Sequence, residues 1–224
     1  RMVSRFGSDL PQYRALSSKM LSTFIMTMRG TPYYYNGDEL GMTNSVFHTI
    51  DDFRDMPAHN EYRHLISIQG DTGAYLKRLR FESRDNGRTP FQWNDSANAG
   101  FTTGTPWIPV NPNYKIINAE KEEKDPNGCL HYFRKLVQLR KNNPALVYGK
   151  YHLLDKDNPT VYAYSREGDG RKFLILLNFS SQKSQVNIEI PLTGAKLLLS
   201  NDQRMQGSAV AGLNPYEACI YQLQ

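Results

Sequence analysis

Gly30-Thr-Pro-Tyr-Tyr-Tyr-Asn-Gly-Asp-Glu-Leu-Gly-Met-Thr-Asn44 is the stretch whose reading decides the fold. Thr31-Pro32 ends a preceding helical pattern, because proline lacks the N–H a helix needs and biases the residue before it toward extended backbone. Tyr33-Tyr34-Tyr35 is too short for a helix and has strong strand propensity, so it reads as a short buried strand. Asn36-Gly37 turns the chain, and Asp38 and Glu39 follow at the strand's exit. A helix, a short strand and then polar residues at the strand's C-terminal end is how a parallel α/β barrel presents its functional face.

Upstream, Ser8-Asp9 followed by Pro11 reads as a helix start. Leu10, Tyr13, Leu16, Met20, Phe24 and Met28 recur at helical spacing, which predicts a helix over about residues 9–29 with a broad apolar stripe that expects a sheet beside it. Downstream, Glu61, Tyr62, His64, Leu65 and Ile68 fit one short helix. Ala74, Leu76, Leu79 and Phe81 fit a second, with Gly70-Asp-Thr-Gly73 between them. Ser83-Arg-Asp-Asn-Gly-Arg-Thr-Pro-Phe-Gln-Trp93 has neither helical nor strand period, yet it concentrates Arg84, Asp85, Asn86, Arg88, Gln92 and Trp93. A planar guanidinium can hold two sugar hydroxyls or orient a carboxylate, and it can equally lock a loop by an ion pair. Residues 94–127 are rich in Gly, Pro, Asn and Thr, and Trp107 and Tyr114 are expected to pin them down. Cys129 to Lys141 is an amphipathic helix stopped by Asn142-Asn143-Pro144, with basic residues in its last turn.

From Ala145 the period changes from near 3.6 to 2. Tyr148–Leu154, Val161–Arg166, Lys172–Phe179, Gln185–Ile190, Ala195–Ser200 and Glu217–Leu223 read as strands, separated by Asp157-Asn-Pro159, Gly168-Asp-Gly170, Thr193-Gly194 and Asn214-Pro215. Short strands at this spacing predict an antiparallel β-sandwich. The expected organisation is therefore residues 1–144 as part of an α/β barrel with mouth loops and residues 145–224 as a β-sandwich.

Three motifs carry a family resemblance: Gly30–Asn44, Arg1-Met-Val-Ser-Arg-Phe-Gly7 and Ser83–Trp93. Ala99-Gly-Phe-Thr-Thr103, Pro106-Trp107 and Val110-Asn-Pro-Asn-Tyr114 follow at matching spacing. Together they resemble the C-terminal part of the alpha-amylase superfamily, nearest the alpha-glucosidase and oligo-1,6-glucosidase branch. The resemblance implies the last part of a (β/α)8 TIM barrel, with its seventh helix, eighth strand and eighth helix, followed by the sandwich domain. It implies retaining glycoside hydrolysis by an exo-acting alpha-glucosidase. The nucleophile Asp, the acid Glu, the stabilising Asp before Arg1 and a calcium-binding loop would all lie outside these residues. On that reading no residue here is catalytic, Arg84 reaches the bound sugar and Arg88 is structural. The loops around Asn44 and Tyr62 help to shape the substrate mouth, Asp38 and Glu39 are structural, and this piece alone is inactive. Arg1 matches an arginine that closes the loop of the stabilising Asp, and at the chain's start it is expected to be disordered. The rival readings are a transglycosylating or isomerising relative of the trehalose- or isomaltulose-forming type, and a non-enzymatic carbohydrate-binding module.

Composition narrows the rest. The chain has 224 residues, 39% hydrophobic and 12% aromatic, with net charge +5 spread among acids rather than clustered. That argues against a nucleic-acid partner. No apolar run reaches membrane-spanning length, and no stretch has a secretory-signal pattern, so the expectation is a cytoplasmic protein; the resemblance implies an oligosaccharide substrate, and no cofactor or metal is expected. Its two cysteines, Cys129 and Cys219, have no metal or redox spacing and are expected to be buried thiols. A single barrel strand leaves its edges unpaired, which points to possible self-association of the piece. Asn94-Asp-Ser96 and Asn178-Phe-Ser180 match the glycosylation sequon.

Overall fold

The computed structural model describes residues 1–190, 192–205 and 212–224. Eight helices and seven strands occur among them: α1 (Met2–Phe6), α2 (Pro11–Thr27), α3 (Met56–Ser67), α4 (Thr72–Glu82), α5 (Asp85–Arg88), α6 (Ala119–Lys124), α7 (Cys129–Lys141), α8 (Pro144–Tyr148), β1 (Lys150–Leu154), β2 (Val161–Gly168), β3 (Arg171–Asn178), β4 (Ser184–Gln185), β5 (Lys196–Ser200), β6 (Gly212–Leu213) and β7 (Ala218–Leu223). They group into two compact units. One comprises Arg1–Phe6 with Tyr35–Leu130, the other Gly7–Tyr34 with His131–Gln224.

In the second unit an antiparallel sheet runs in the order β1-β2-β3-β7-β5. Asp169-Gly170, with both residues in the left-handed region, is the two-residue turn that sets the β2–β3 register, pairing Gly168 with Arg171. Phe173 to Asn178 are all buried because this central strand is covered on both faces. One face carries Val161, Ala163, Leu174, Leu176, Cys219 and Tyr221, which pack with Val186, Ala195 and Leu213. The alternate residues face α2 and α8. The second layer is slight: the strand expected over Gln185–Ile190 narrows to Ser184–Gln185, paired with Gly212–Leu213. Tyr148, expected in the first strand, instead ends α8, because Pro144 starts a further helical turn.

The helix α2 starts later than the sequence suggests. Leu10 is the N-cap, no side chain caps it, and Pro11 occupies the first turn. Its buried face is as much hydroxyl as hydrocarbon. Ser22 Oγ meets Tyr34 Oη at 2.7 Å, Thr23 Oγ1 meets Tyr132 Oη at 2.8 Å, and Thr27 Oγ1 meets Tyr164 Oη at 2.6 Å. These three buried hydroxyls are tolerated because each finds a partner, whereas the buried Ser18 Oγ has none among the described residues. At its C-terminal end the guanidinium of Arg140 donates to the carbonyls of Met26, Met28 and Leu146 at 2.8–2.9 Å and to that of Gly30. Arg166, fully buried, donates to Thr27, Leu146 and Gly149 carbonyls at 2.6, 3.0 and 2.9 Å. Burial pulls both guanidinium pKa values down. The negative end of the helix dipole supplies the compensating charge.

Residues 31–35 are extended, but no described strand pairs with them, and Tyr33 is 90% exposed. The extended backbone agrees with the expectation of a strand here, whereas the burial expected of Tyr33 is not observed. Ladder bonds need a neighbouring backbone, and the resemblance implies only the last part of a barrel in these residues; within its own unit Tyr34 stacks on Phe133 with ring centroids 4.3 Å apart.

Candidate functional site

The loop Ser83–Trp93 is the hub of the first unit. Ser83 Oγ accepts from the Asp85 amide at 3.1 Å, a local cap that starts the short helix α5 where the sequence has no helical period. Asp85 is fully buried. Its Oδ2 accepts from the Arg54 and Asp55 amides at 2.7 and 3.0 Å, and its Oδ1 from Arg88 Nη1 at 3.0 Å. Asn86 accepts from the Ser45 amide at 2.9 Å and donates to the Arg80 carbonyl at 2.9 Å. Gln92 donates to Asn113 Oδ1 at 3.1 Å and to the Ile117 carbonyl. Each buried amide or carboxylate of the motif thus holds a different loop, and the polar content that looked like a site is mostly scaffolding.

Arg84 is the exception. It sits at the turn before α5 with its side chain 63% exposed, and binds Asp55 bidentately through Nη2 at 2.6 Å and Nε at 3.3 Å. That leaves Nη1 with no partner among the described residues. Asp55 is nearly buried and also lies 3.7 Å from Arg88, which in turn pairs with Asp85. The result is a row Arg84–Asp55–Arg88–Asp85 whose inner end is fixed and whose outer end offers a charged, planar donor to solvent. Such a group can bind hydroxyls or a carboxylate with little reorganisation. Arg88 acts as the row's interior link. The sequence reading missed Asp55. Its signal was its place immediately before Met56-Pro57 at the start of α3, where an acid would normally cap the helix. No such cap bond forms, because the carboxylate turns to Arg84 instead.

The loops expected to shape the mouth lie in the same unit. Asn44 donates to the Phe81 carbonyl at 2.9 Å, and its amide donates to Ser4 Oγ at 2.7 Å. Tyr62, on α3, faces Tyr75 on α4 with ring centroids 6.5 Å apart. Arg1 is ordered, against expectation: its guanidinium donates to the Asn36 carbonyl at 2.6 Å and to Thr89 Oγ1 at 3.3 Å, and lies 5.7 Å from the Tyr35 ring centroid. Three anchors outweigh the freedom of a terminal residue. Asp38 lies beside Arg1, and its carboxyl is pushed up by burial, with the arginine opposing. Glu39 folds back to accept from the Gly37 amide at 2.8 Å. A Cβ on Gly37, whose φ is +93°, would fall 2.5 Å from Met42 Sδ, so this tight turn requires glycine. Glu39 is thus taken up by its own loop, and Asp38 by the Arg1–Met2 segment beside it.

Among the described residues no three His, Cys, Asp or Glu side chains group as metal ligands, and no helix is long and apolar enough to cross a membrane. Asn178 is buried, accepting from the Ser180 amide and hydroxyl and donating to the Gln182 and Asn214 carbonyls, so its sequon serves the fold.

Residues 1–149 match the sequence profile of the alpha amylase catalytic domain, and residues 151–220 that of the maltogenic amylase C-terminal domain. The chain belongs to the alpha-amylase family. It is 44% identical, over its whole length, to an oligo-1,6-glucosidase of Parageobacillus thermoglucosidasius, of which it covers 41%. It is 42% identical to a trehalose-6-phosphate hydrolase of Bacillus subtilis, of which it covers 40%. Among solved structures, the trehalulose synthase MutB of Pseudomonas mesoacidophila superposes on the whole chain with a TM-score of 0.91 at 39% identity, 41% of that chain being covered. The isomaltulose synthase PalI of Klebsiella gives the same values. The chain therefore spans about two fifths of the length of the relatives it matches. Within this family the architecture is the C-terminal portion of a TIM barrel followed by an antiparallel sheet domain, as the motifs around Gly30–Asn44 and Ser83–Trp93 imply.

Proposed function

We propose that this chain is the C-terminal part of a retaining alpha-glucosidase that removes terminal alpha-linked glucose from oligosaccharides, with residues 1–144 contributing to the barrel and residues 145–224 forming the supporting β domain. The observation that carries the reading is the whole-length identity to oligo-1,6-glucosidase, joined to an Arg84 whose Nη1 is held outward by a fixed Asp55. In retaining hydrolysis a carboxylate attacks the anomeric carbon while an acid protonates the leaving oxygen, and water then releases the sugar. Here the acids Asp38, Glu39, Asp55 and Asp85 are each held by a neighbour on the same unit, so the two reacting carboxylates come from the part of the relatives' length that this chain does not span. Arg84 binds the sugar in the ground state and the transition state alike.

The test is a chimera in which this chain replaces the C-terminal two fifths of the Parageobacillus oligo-1,6-glucosidase. Isomaltose hydrolysis is expected, and Arg84→Ala should raise KM more than it lowers kcat. The chain alone should not cleave a nitrophenyl alpha-glucoside. A folded but inactive chimera, or activity of the chain alone, would overturn the proposal. A second reading, sucrose isomerisation, is favoured by the likeness to trehalulose and isomaltulose synthases. Incubation of the chimera with sucrose separates the two: glucose and fructose mean hydrolysis, whereas trehalulose or isomaltulose means transfer.

A further inference from the structure

Where α8 ends on the sheet, Pro144, Ala145, Tyr148, Gly149, Lys150, Glu167, Gly168 and Asp169 line an open cleft of about 450 Å³. That lies within the range of small-molecule sites, roughly 300–1,000 Å³. Its floor is backbone. A Cβ on Gly149 would fall 2.3 Å from the Ala145 carbonyl oxygen and 2.7 Å from that of Glu167, so only glycine lets the helix end lie against β2 there. On this floor stands Tyr148, 78% exposed. Its hydroxyl makes no hydrogen bond, and its ring makes no ring–ring or cation–π contact among the described residues. Among the described residues the Lys150 ammonium and the Asp169 carboxylate are likewise without ion pair or hydrogen bond, and Glu167 pairs with Lys172 alone, at 3.7 Å.

We infer that this cleft is a saccharide-binding site on the β domain, with Tyr148 as its platform. The mixture of groups selects the ligand. Two carboxylates disfavour an anion, and the lysine disfavours a cation. A neutral polyol suits both, since each hydroxyl can donate to Glu167 or Asp169 and accept from Lys150, while the C–H face of a pyranose covers the exposed ring. The openness of the cleft makes the binding weak and insensitive to linkage. The inference uses no residue of the Arg84 row and stands whether or not the proposed hydrolysis holds.

The experiment is a titration of the full 15N-labelled chain with maltose and isomaltose, followed by two-dimensional NMR. The amides of Gly149, Gly168 and Gly170 should shift together and saturate at one concentration. Tyr148→Ala should weaken that binding roughly tenfold, the loss of an aromatic contact, while Tyr148→Phe retains it and Arg84→Ala leaves it unchanged. Because Tyr148 is exposed, its alanine variant folds. No movement of these three amides up to saturating sugar, equal affinity of Tyr148→Ala, or the same shifts produced by inorganic sulfate would overturn the inference.

Discussion

Replacing Asp85 by alanine tests whether the Ser83–Trp93 loop is scaffold with one free arm. Asp85 is 0% exposed and accepts the Arg54 and Asp55 amides. Without it, both partly buried N–H groups lose their acceptor, at about 1–3 kcal/mol each when water cannot replace it. The Arg88 pair is half-exposed and adds at most about 1 kcal/mol. Allowing for partial solvent access, the expected loss is about 3 kcal/mol, or roughly two decades in local opening. Hydrogen exchange of peptides covering residues 53–56 reads this directly. Arg84→Ala is the contrast. Its ion pair with Asp55 is 63% exposed on the arginine side, and exposed pairs contribute about 0–1 kcal/mol, so protection at residues 53–56 should barely change. If Arg84→Ala loosens that segment as much as Asp85→Ala, the outer arginine is a structural lock, and the argument for a ligand-facing Arg84 fails. If neither variant does, the Asp85 bonds are not what holds the loop.

The Cys219 thiol is pushed up to about 12, chiefly by burial, and burial raises Tyr132, Tyr164 and Tyr221 as well. For a raised acid the folded state keeps its proton where the unfolded chain has lost it, so stability is full below the thiol's ordinary value near ~8.5 and falls as pH rises toward 12. Urea midpoints measured across that window should decline, and Cys219→Ala should decline less steeply; parallel curves would count against the thiol's share. Both cysteines are buried, so a thiol reagent at pH 8 should label the native chain slowly and the denatured chain twice. Asn178→Ala, which removes bonds to four groups of two loops, should cost about 2–4 kcal/mol in a denaturant melt, against under 1 kcal/mol for Asn94→Ala; similar losses would refute the ranking. Because Tyr33, on the segment read as a barrel strand, is 90% exposed, we propose that the isolated chain self-associates; light scattering across a concentration series should show it, whereas a monomer at every concentration would refute the proposal.

What the sequence revealed, and what it hid, follows from whether a feature is periodic or pairwise. The helix α7 has the bounds read from its stripe, Cys129–Lys141, and the hairpin at Asp169-Gly170 lies where two strand patterns flank a turn signal, because period and turn chemistry are local properties. The strand expected at Tyr33–Tyr35 was also a local reading: the extended backbone is there, but its burial was not legible, because aromatic propensity describes a surface that fits a sheet and not the neighbouring strands that cover it. The candidate site divides in the same way. Arg84 was legible from its motif, but Asp55, twenty-nine residues earlier, was not, since nothing in a single sequence marks which acid a given arginine will choose. The two buried arginines carry the point furthest. Arg140 looked like a basic residue at the end of its own helix, and Arg166 like the polar end of a strand. Both instead serve the carbonyls at the end of α2, more than a hundred residues away. A charge placed by a rule about its own helix can satisfy the same electrostatics at another helix's end, so the dipole rule identifies the kind of partner such an arginine needs while the packing of α2 and α8 decides which partner it finds.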